Sequence, residues 1–278
     1  MRSPFTLPAI LILAAGAVWS ADQPELAKVA TEDAGTVDPG ALELAVGIDH
    51  AWTSKVWDAD GISADRGGRA RQTGLGVGLK YGVVESLDIG VGMGWSRITD
   101  QAAAEAGEPD SGSGLADVDL GLKWRFFQGE DDRLACALTA GAIAPMGRGT
   151  AEDVMPVASE DWALRGGLVA TGWIDRLAWS TAIEFVRPLG EAADETRYEF
   201  AWDAAVGWQV APWLQPEIEL HYQSAKAVEG DDSSVWSGTV GLLAPLESGR
   251  IAVGWTRDLA GHSADQSDQV AASYTVTF

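Results

Sequence analysis

Hydrophobic and polar residues alternate with a period of two along most of the chain after its first forty positions. The C-terminal segment is the clearest case, because every second residue from Val270 to Phe278 is apolar or aromatic and most of the others are small or polar. Successive side chains of a β-strand point to opposite faces, so the pattern predicts a strand with one apolar face. Clear repeats of the pattern occur at 42–49, 74–81, 87–96, 117–126, 198–209 and 217–223. Weaker repeats occur at 134–145, 161–174, 177–187, 234–243 and 250–257.

The connections between these segments alternate in length. The short ones are 82–86, 128–133, 175–176, 211–213 and 244–249. The long, polar ones are 53–70, 98–113, 146–160, 188–196, 224–233 and 258–267. Tight turns at one rim and longer loops at the other are typical of an outer-membrane barrel. The sequence therefore predicts an all-β fold, a transmembrane antiparallel up-and-down β-barrel of about twelve strands, with both termini in the periplasm.

Three regions follow from this pattern. Residues 1–21 resemble a signal peptide, because Arg2 precedes an apolar run over 7–19 that is shorter than the roughly 20 residues of a membrane-spanning helix. Residues 22–38 are polar and form either a plug inside the barrel or a disordered periplasmic tail. Residues 39–278 form the barrel. We therefore expect an exported protein of the outer membrane of a Gram-negative cell.

Composition agrees with an interface-seeking surface and excludes one class of partner. The chain contains 13 Trp, several of them near predicted strand ends, where rings with an apolar body and a polar N–H favour the membrane boundary. The formal net charge is -22, which argues against nucleic-acid binding. The sequence contains no metal-binding or nucleotide-binding motif in a suitable context, so we expect no metal and no cofactor.

Two stretches resemble a known family. Residues 31–36 read Thr-Glu-Asp-Ala-Gly-Thr, and residues 114–125 form a Gly-rich strand with Asp117 and Lys123. They are similar to the outer-membrane "transporter" family named for the meta-pathway of phenol degradation, grouped with the fatty-acid and aromatic-hydrocarbon porins. The resemblance implies an outer-membrane channel or transporter for small organic molecules, including aromatic or apolar ones.

Alternation assigns the charged residues that face the predicted lumen. The acidic candidates are Glu43, Asp49, Asp88, Asp117, Asp119, Glu184, Glu199, Asp203, Glu217 and Glu219. The basic candidates are Lys80, Lys123, Arg125 and Arg165, with His221 nearby. If these charges pair across the lumen, they stiffen a closed barrel with a structural or surface-interaction role. If they line a path, their acidic excess favours cations and neutral polar solutes.

The remaining expectations concern catalysis and partners. An outer-membrane phospholipase would need a hydroxyl within hydrogen-bonding reach of His50, His221 or His262, and no catalytic residue is assigned from the sequence. The expected partners are outer-membrane lipid and lipopolysaccharide, bridged by divalent cations to acidic loops such as 98–113. The C-terminal strand that ends at Phe278 resembles the signal recognised by the barrel-assembly machinery. The last expected partner is a small-molecule solute.

Overall fold

A computed structural model describes residues 28–101, 110–129, 133–149, 157–159 and 161–278. The predicted signal peptide and residues 22–27 lie outside the described residues. The strands are β1 (Leu42–Trp57), β2 (Ser63–Val84), β3 (Leu87–Asp100), β4 (Asp110–Leu115), β5 (Val118–Gln128), β6 (Leu134–Ala144), β7 (Arg148–Gly149), β8 (Ala163–Ile174), β9 (Leu177–Pro188), β10 (Thr196–Trp208), β11 (Gln215–Ala227), β12 (Ser233–Leu246), β13 (Gly249–His262) and β14 (Ala264–Thr277). A four-residue helix, α1 (Ala192–Glu195), precedes β10. No helix in these ranges has the length and hydropathy to cross a membrane.

The strands form one closed antiparallel barrel. β1 pairs with β2 on one side and with β14 on the other, so the sheet has no free edge at its ends. β4 and β5 pair with successive parts of β3 and act as two halves of one barrel strand. β7 pairs with β4 beyond the end of β6 and extends that wall. The fourteen described strands therefore make a twelve-stranded barrel, which confirms the predicted fold.

Two of the predicted long loops are wrong. Most of 53–70 is strand, because β1 runs to Trp57 and β2 begins at Ser63. Most of 258–267 is also strand, with β13 and β14 joined at Ser263, which has a φ of 45°. The cause is the same in both hairpins, since both faces become polar there. The apolar alternation therefore stops while the backbone pairing continues.

The two faces of the wall differ in polarity. On β2 the outward side chains Leu75, Val77 and Leu79 are 49%, 46% and 38% exposed, as lipid-facing residues should be. On the same strand the inward Lys80 is only 8% exposed. An outward aromatic cluster lies across β9 to β12, with ring centroids 4.8 to 6.2 Å apart. Its members are Phe185, Phe200, Trp202, Tyr222 and Trp236. The barrel thus presents an apolar exterior around a polar interior.

The chain termini of the barrel meet at one rim. The amide of Leu42 donates to the carbonyl of Phe278 at 2.8 Å, and the amide of Phe278 donates back at 2.9 Å. The two-residue turn between β8 and β9 lies at the same rim. It consists of Asp175, which has a φ of 54°, and Arg176, and the two strands pair as far as Ile174 and Leu177 on either side of it. We call this end the turn rim and the other end the loop rim.

Candidate functional site

Residues 28–38, named here the lumen segment, run through the barrel interior. Lys28 is 1% exposed, Thr31 is 2% exposed and Ala34 is completely buried. The segment contacts β11 and the β12–β13 wall at its start and the β2–β3 turn at its end. The polar residues of the inner wall hold it mainly through side-chain hydrogen bonds to its backbone.

Two carboxylates of β11 hold the start of the lumen segment. Glu217 accepts a hydrogen bond from the Val29 amide at 3.0 Å and lies 3.7 Å from the Lys28 ammonium. Glu219 accepts from the amide of Ala30 at 3.0 Å and from the amide and hydroxyl of Thr31, both at 2.7 Å. Bonds to an ionised acceptor are about twice as strong as neutral ones. Three consecutive backbone amides are therefore fixed by two buried carboxyl groups.

Lys123 of β5 holds the middle of the segment. Its ammonium lies 3.1 Å from the Glu32 carboxylate and donates to the Asp33 carbonyl at 2.7 Å. Hydroxyls of β8 and β9 bind the same stretch. The amide of Ala34 donates to Thr171 at 2.9 Å, and Ser180 donates to the Glu32 carbonyl at 2.6 Å. The middle of the segment is thus fixed from a second side of the barrel.

The segment leaves the lumen at the turn rim. The Val37 amide donates to Asp88 at 3.3 Å, and the Thr36 hydroxyl donates to the Glu85 carbonyl at 2.8 Å. Gly82 of β2 is closely covered, because a β-carbon built there would collide with the carbonyl oxygens of Val37 and Asp38. Position 82 therefore has no space for a side chain beneath the lumen segment.

Two glycines of the β12–β13 wall provide the space for Val29. A β-carbon built on Gly241 or on Gly254 would lie 2.6 Å from a Val29 methyl group. Such a distance is well inside van der Waals contact. The match between one valine and two inward glycines gives the segment a defined position along the wall.

This match supports a prediction for Gly254→Val. The new side chain would occupy the place of Val29, so we expect the lumen segment to dock less tightly. The barrel itself should still form, because the strand pairing of β13 is unchanged. Protease cleavage within residues 28–38 of the reconstituted protein should become faster than in the parent. Gly238→Val is the matched control, since its β-carbon would face the outward Leu259 at 3.3 Å instead. Equal cleavage in both variants would contradict the packing role of Gly254.

Other predicted lumen residues pair within the wall. Arg165 lies 2.6 Å from Asp119 and 3.2 Å from Glu184. The structure adds a partner that the sequence analysis missed, since Arg250 lies 3.7 Å from Glu43. Arg250 is one position before the outward Ile251, so alternation alone could have placed it inside.

Several candidates lie apart from these clusters. Asp117 sits at the break between β4 and β5, where it accepts from the amides of Gly147 at 3.1 Å and Ser159 at 2.7 Å. Arg125 lies towards the turn rim and donates to the Glu85 carbonyl at 2.7 Å. The buried ammonium of Lys80 has no hydrogen-bond partner among the described residues. Asp49 and Glu199 are partly exposed, on β1 and β10.

The structure gives His221 a chain of polar contacts. Its Nδ1 lies 2.7 Å from Asp203, and its Nε2 lies 2.9 Å from the Thr239 hydroxyl. His50 also has a hydroxyl neighbour, Thr73, at 2.8 Å. A phospholipase would have been excluded if no histidine had a hydroxyl neighbour. Two of the histidines have one, so this criterion does not exclude it. Thr239 is 1% exposed, and its oxygen lies 2.7 Å from that of Thr256.

A second cluster near the loop rim was also missed. Arg66 binds Asp100 at 2.6 Å and Asp265 at 3.0 Å, and so links β2, β3 and β14. These residues were assigned to loops in the sequence because the alternation of apolar residues had already ended there. Within the described ranges, no group of three His, Cys, Asp or Glu side chains could hold a metal ion.

Comparison with known proteins gives a family and a fold. Residues 89–237 match the family model described as "Putative MetA-pathway of phenol degradation". Among solved structures, the chain is similar to an outer-membrane channel from Pseudomonas putida F1, with a TM-score of 0.76 and 15% identity over 90% of this chain and 100% of that one. No curated protein matches the sequence.

Two autotransporter domains share the architecture at lower similarity. The translocator domain of NalP from Neisseria meningitidis has a TM-score of 0.52 and 11% identity over 86% of this chain and 88% of that one. The β-domain of the Bordetella autotransporter BrkA has a TM-score of 0.51 and 12% identity over 84% of this chain and 99% of that one. At these identities the similarity concerns the barrel fold.

Proposed function

The chain belongs to the family of the MetA-pathway of phenol degradation, and on this premise we propose that it is an outer-membrane channel for small organic molecules. The proposal includes aromatic and apolar solutes, in keeping with the process for which the family is named. It also includes periplasmic termini, an exported precursor with a signal peptide at residues 1–21, and a barrel from residue 39 onwards. Phe278 would then present the last strand to the barrel-assembly machinery from the periplasmic side.

One observation carries the proposal, namely what fills the lumen. A barrel with only a structural role would pack its interior with wall side chains, as small barrels do. Here the interior contains a separate chain segment bound to polar wall residues, among them Glu217, Glu219 and Lys123. Polar contacts of this kind can be exchanged for water when the segment moves. The lumen segment acts on this proposal as a closure, and its displacement leaves a polar path.

The charges along the path favour particular solutes. Glu43, Asp119 and Glu184 are neutralised by arginines, whereas no ion pair is formed by Asp49 or Glu199 among the described residues. Acidic groups that line a narrow path attract cations and repel anions. We therefore expect passage of cations and neutral molecules to exceed passage of anions of equal size.

This expectation is tested by ion selectivity. Under a potassium chloride gradient, the reversal potential of the reconstituted protein should indicate a preference for potassium. Glu199→Gln should reduce the preference, because it removes an inward charge that is not used to hold the lumen segment. Asp175→Asn, which removes a charge from a turn, should not change it. Anion preference in the parent, or equal effects of the two substitutions, would contradict the assignment of Glu199 to the path.

The same proposal gives the Asp203, His221 and Thr239 chain a bracing role instead of a catalytic one. The Thr239 hydroxyl is shared between His221 and Thr256 and is shielded in the wall. A nucleophile must reach the carbonyl carbon of its substrate, and this oxygen is covered. The bonds link β10, β11, β12 and β13 and so stiffen the side of the barrel that holds the lumen segment.

A further inference from the structure

Three arginines, Arg69, Arg71 and Arg97, form an exposed basic patch on the outer wall near the loop rim. Arg69 and Arg71 lie on β2, and Arg97 lies on the adjacent β3. All three are exposed. The outward residue directly below Arg97 on β3 is Trp95, and on β2 the outward Leu75 lies below Arg71 with Thr73 between them. The patch therefore faces the surroundings of the barrel, not its lumen.

Strand register brings the patch residues together. Arg71 is opposite Thr99, and Arg97 is opposite Thr73, so the two arginines are diagonal neighbours across the β2–β3 pair. Diagonal positions in an antiparallel pair are about 7 Å apart, within reach of long side chains. On the other flank, Arg71 is opposite the outward Trp52 of β1.

Several cations of the barrel pair with carboxylates, whereas the three patch arginines do not. Arg66, Lys123 and Arg165 have carboxylate partners within 3.2 Å. No ion pair involves Arg69, Arg71 or Arg97 in the described part of the chain, although the protein has a net charge of -22. The cross-strand partners of Arg71 and Arg97 within β2, β3 and β4 are hydroxyl residues, Thr99, Thr73 and Ser113. An uncompensated cluster of like charges on an acidic protein indicates an external anion.

The height of the patch identifies the kind of anion. Trp95 is the last apolar residue on the outward face of β3, and rings of this type lie at the membrane–water boundary. Arg97 is one outward position beyond it, at the level of lipid headgroups. A guanidinium binds a phosphate through two parallel hydrogen bonds and keeps its charge at every physiological pH. The nearby threonine and serine hydroxyls can donate further bonds to the same oxygens.

We propose that the basic patch binds the phosphate groups of lipid A in the outer leaflet. The assignment to lipopolysaccharide rests on the proposed orientation, in which the loop rim is external, but it does not depend on whether the barrel conducts. Lipid A carries phosphates on a disaccharide at the level of the headgroups, and its acyl chains would lie along Leu75 and Trp95 below. The arginines replace the divalent cations that otherwise bridge these phosphates.

Binding of purified lipopolysaccharide to the full protein in detergent, with EDTA present, tests the site. We expect Arg71→Gln/Arg97→Gln to bind at least about tenfold more weakly than the parent, because two charge-assisted contacts are lost. The control is Arg133→Gln/Arg176→Gln, which removes the same charge at the turn rim and should bind like the parent. Lipopolysaccharide with its lipid A phosphates enzymatically removed should bind the parent as weakly as intact material binds the patch variant.

Five outcomes would overturn the proposal, four of them comparisons of binding. These four are equal binding of patch variant and parent, an equal loss in the turn-rim control, no dependence on the lipid A phosphates, and equal affinity for phosphatidylglycerol. Competition by millimolar inorganic phosphate would assign the site to free phosphate and would equally overturn it. The dephosphorylated ligand is measured on the parent protein, so this arm stays informative even if the patch variant does not fold.

Discussion

Replacing Glu217 and Glu219 together with glutamine should raise the conductance of the reconstituted protein several-fold. Glu219 alone accepts bonds from Ala30 and from two donors of Thr31, and a glutamine offers one oxygen where the carboxylate offers two. The NH₂ group of the glutamine that replaces Glu219 would then face donors of the lumen segment. A loss of about 3 kcal/mol, typical of one or two bonds to a charged group, shifts the balance towards the displaced segment by about a hundredfold.

The control for this variant changes the same charge elsewhere. Glu229 and Glu247 lie exposed in connections between strands, away from the lumen segment, so Glu229→Gln/Glu247→Gln should conduct like the parent. Single-channel recording in planar bilayers measures both variants. Equal conductance of the parent and the Glu217/Glu219 variant would mean that these carboxylates do not hold the closure.

Replacing Lys123 with methionine should destabilise the folded barrel more than any exposed charge substitution. The change leaves the Glu32 carboxylate without its ammonium and removes the donor of the Asp33 carbonyl. Breaking a fully buried pair costs about 3–5 kcal/mol, and we expect about 2–3 kcal/mol here. The smaller value follows because the Glu32 side chain remains 30% exposed.

The Lys123 prediction is checked by the heat-modifiable shift in gel mobility, whose midpoint temperature should fall. Glu32→Gln in the same chain should restore part of the loss, because it removes the unpaired charge. Lys226→Met is the control, since Lys226 pairs with Asp232 at the exposed surface and such pairs contribute about 0–1 kcal/mol. A Lys123 variant that melts with the parent would show that the buried contact has no role in stability.

Much of the barrel could be predicted from the sequence because a lipid-facing wall enforces a strict period of two. The strand over 87–96 illustrates this, since Ile89, Val91 and Met93 all face outward as alternation requires. The same rule assigns Glu217 and Lys123 to the interior. It fails at 53–70, where β1 and β2 continue beyond the apolar band and neither face needs to be hydrophobic.

The partners of the inner residues could not be predicted in the same way. Alternation determines the face of Glu219 but not its ligand, which is a segment 189 positions earlier in the chain. Nothing in the local pattern of residues 28–38 distinguishes a plug from a tail, because its bonds are made mostly by backbone amides. The two glycines that accommodate Val29, Gly241 and Gly254, become meaningful only when the wall is assembled.

The most direct test of the closure is a reversible lock on the lumen segment. A β-carbon on Gly241 would lie 3.3 Å from that of Val29, close to the roughly 3.5–4.5 Å usual for a disulfide, so Val29→Cys/Gly241→Cys should form one. Cys136 is replaced by serine, and Glu217 and Glu219 by glutamine, so that the unlocked segment is free to leave. We expect a small current from the oxidised protein and a several-fold larger current after reduction in the same bilayer. Equal currents before and after reduction, with the disulfide verified by mass, would contradict the claim that residues 28–38 close the channel.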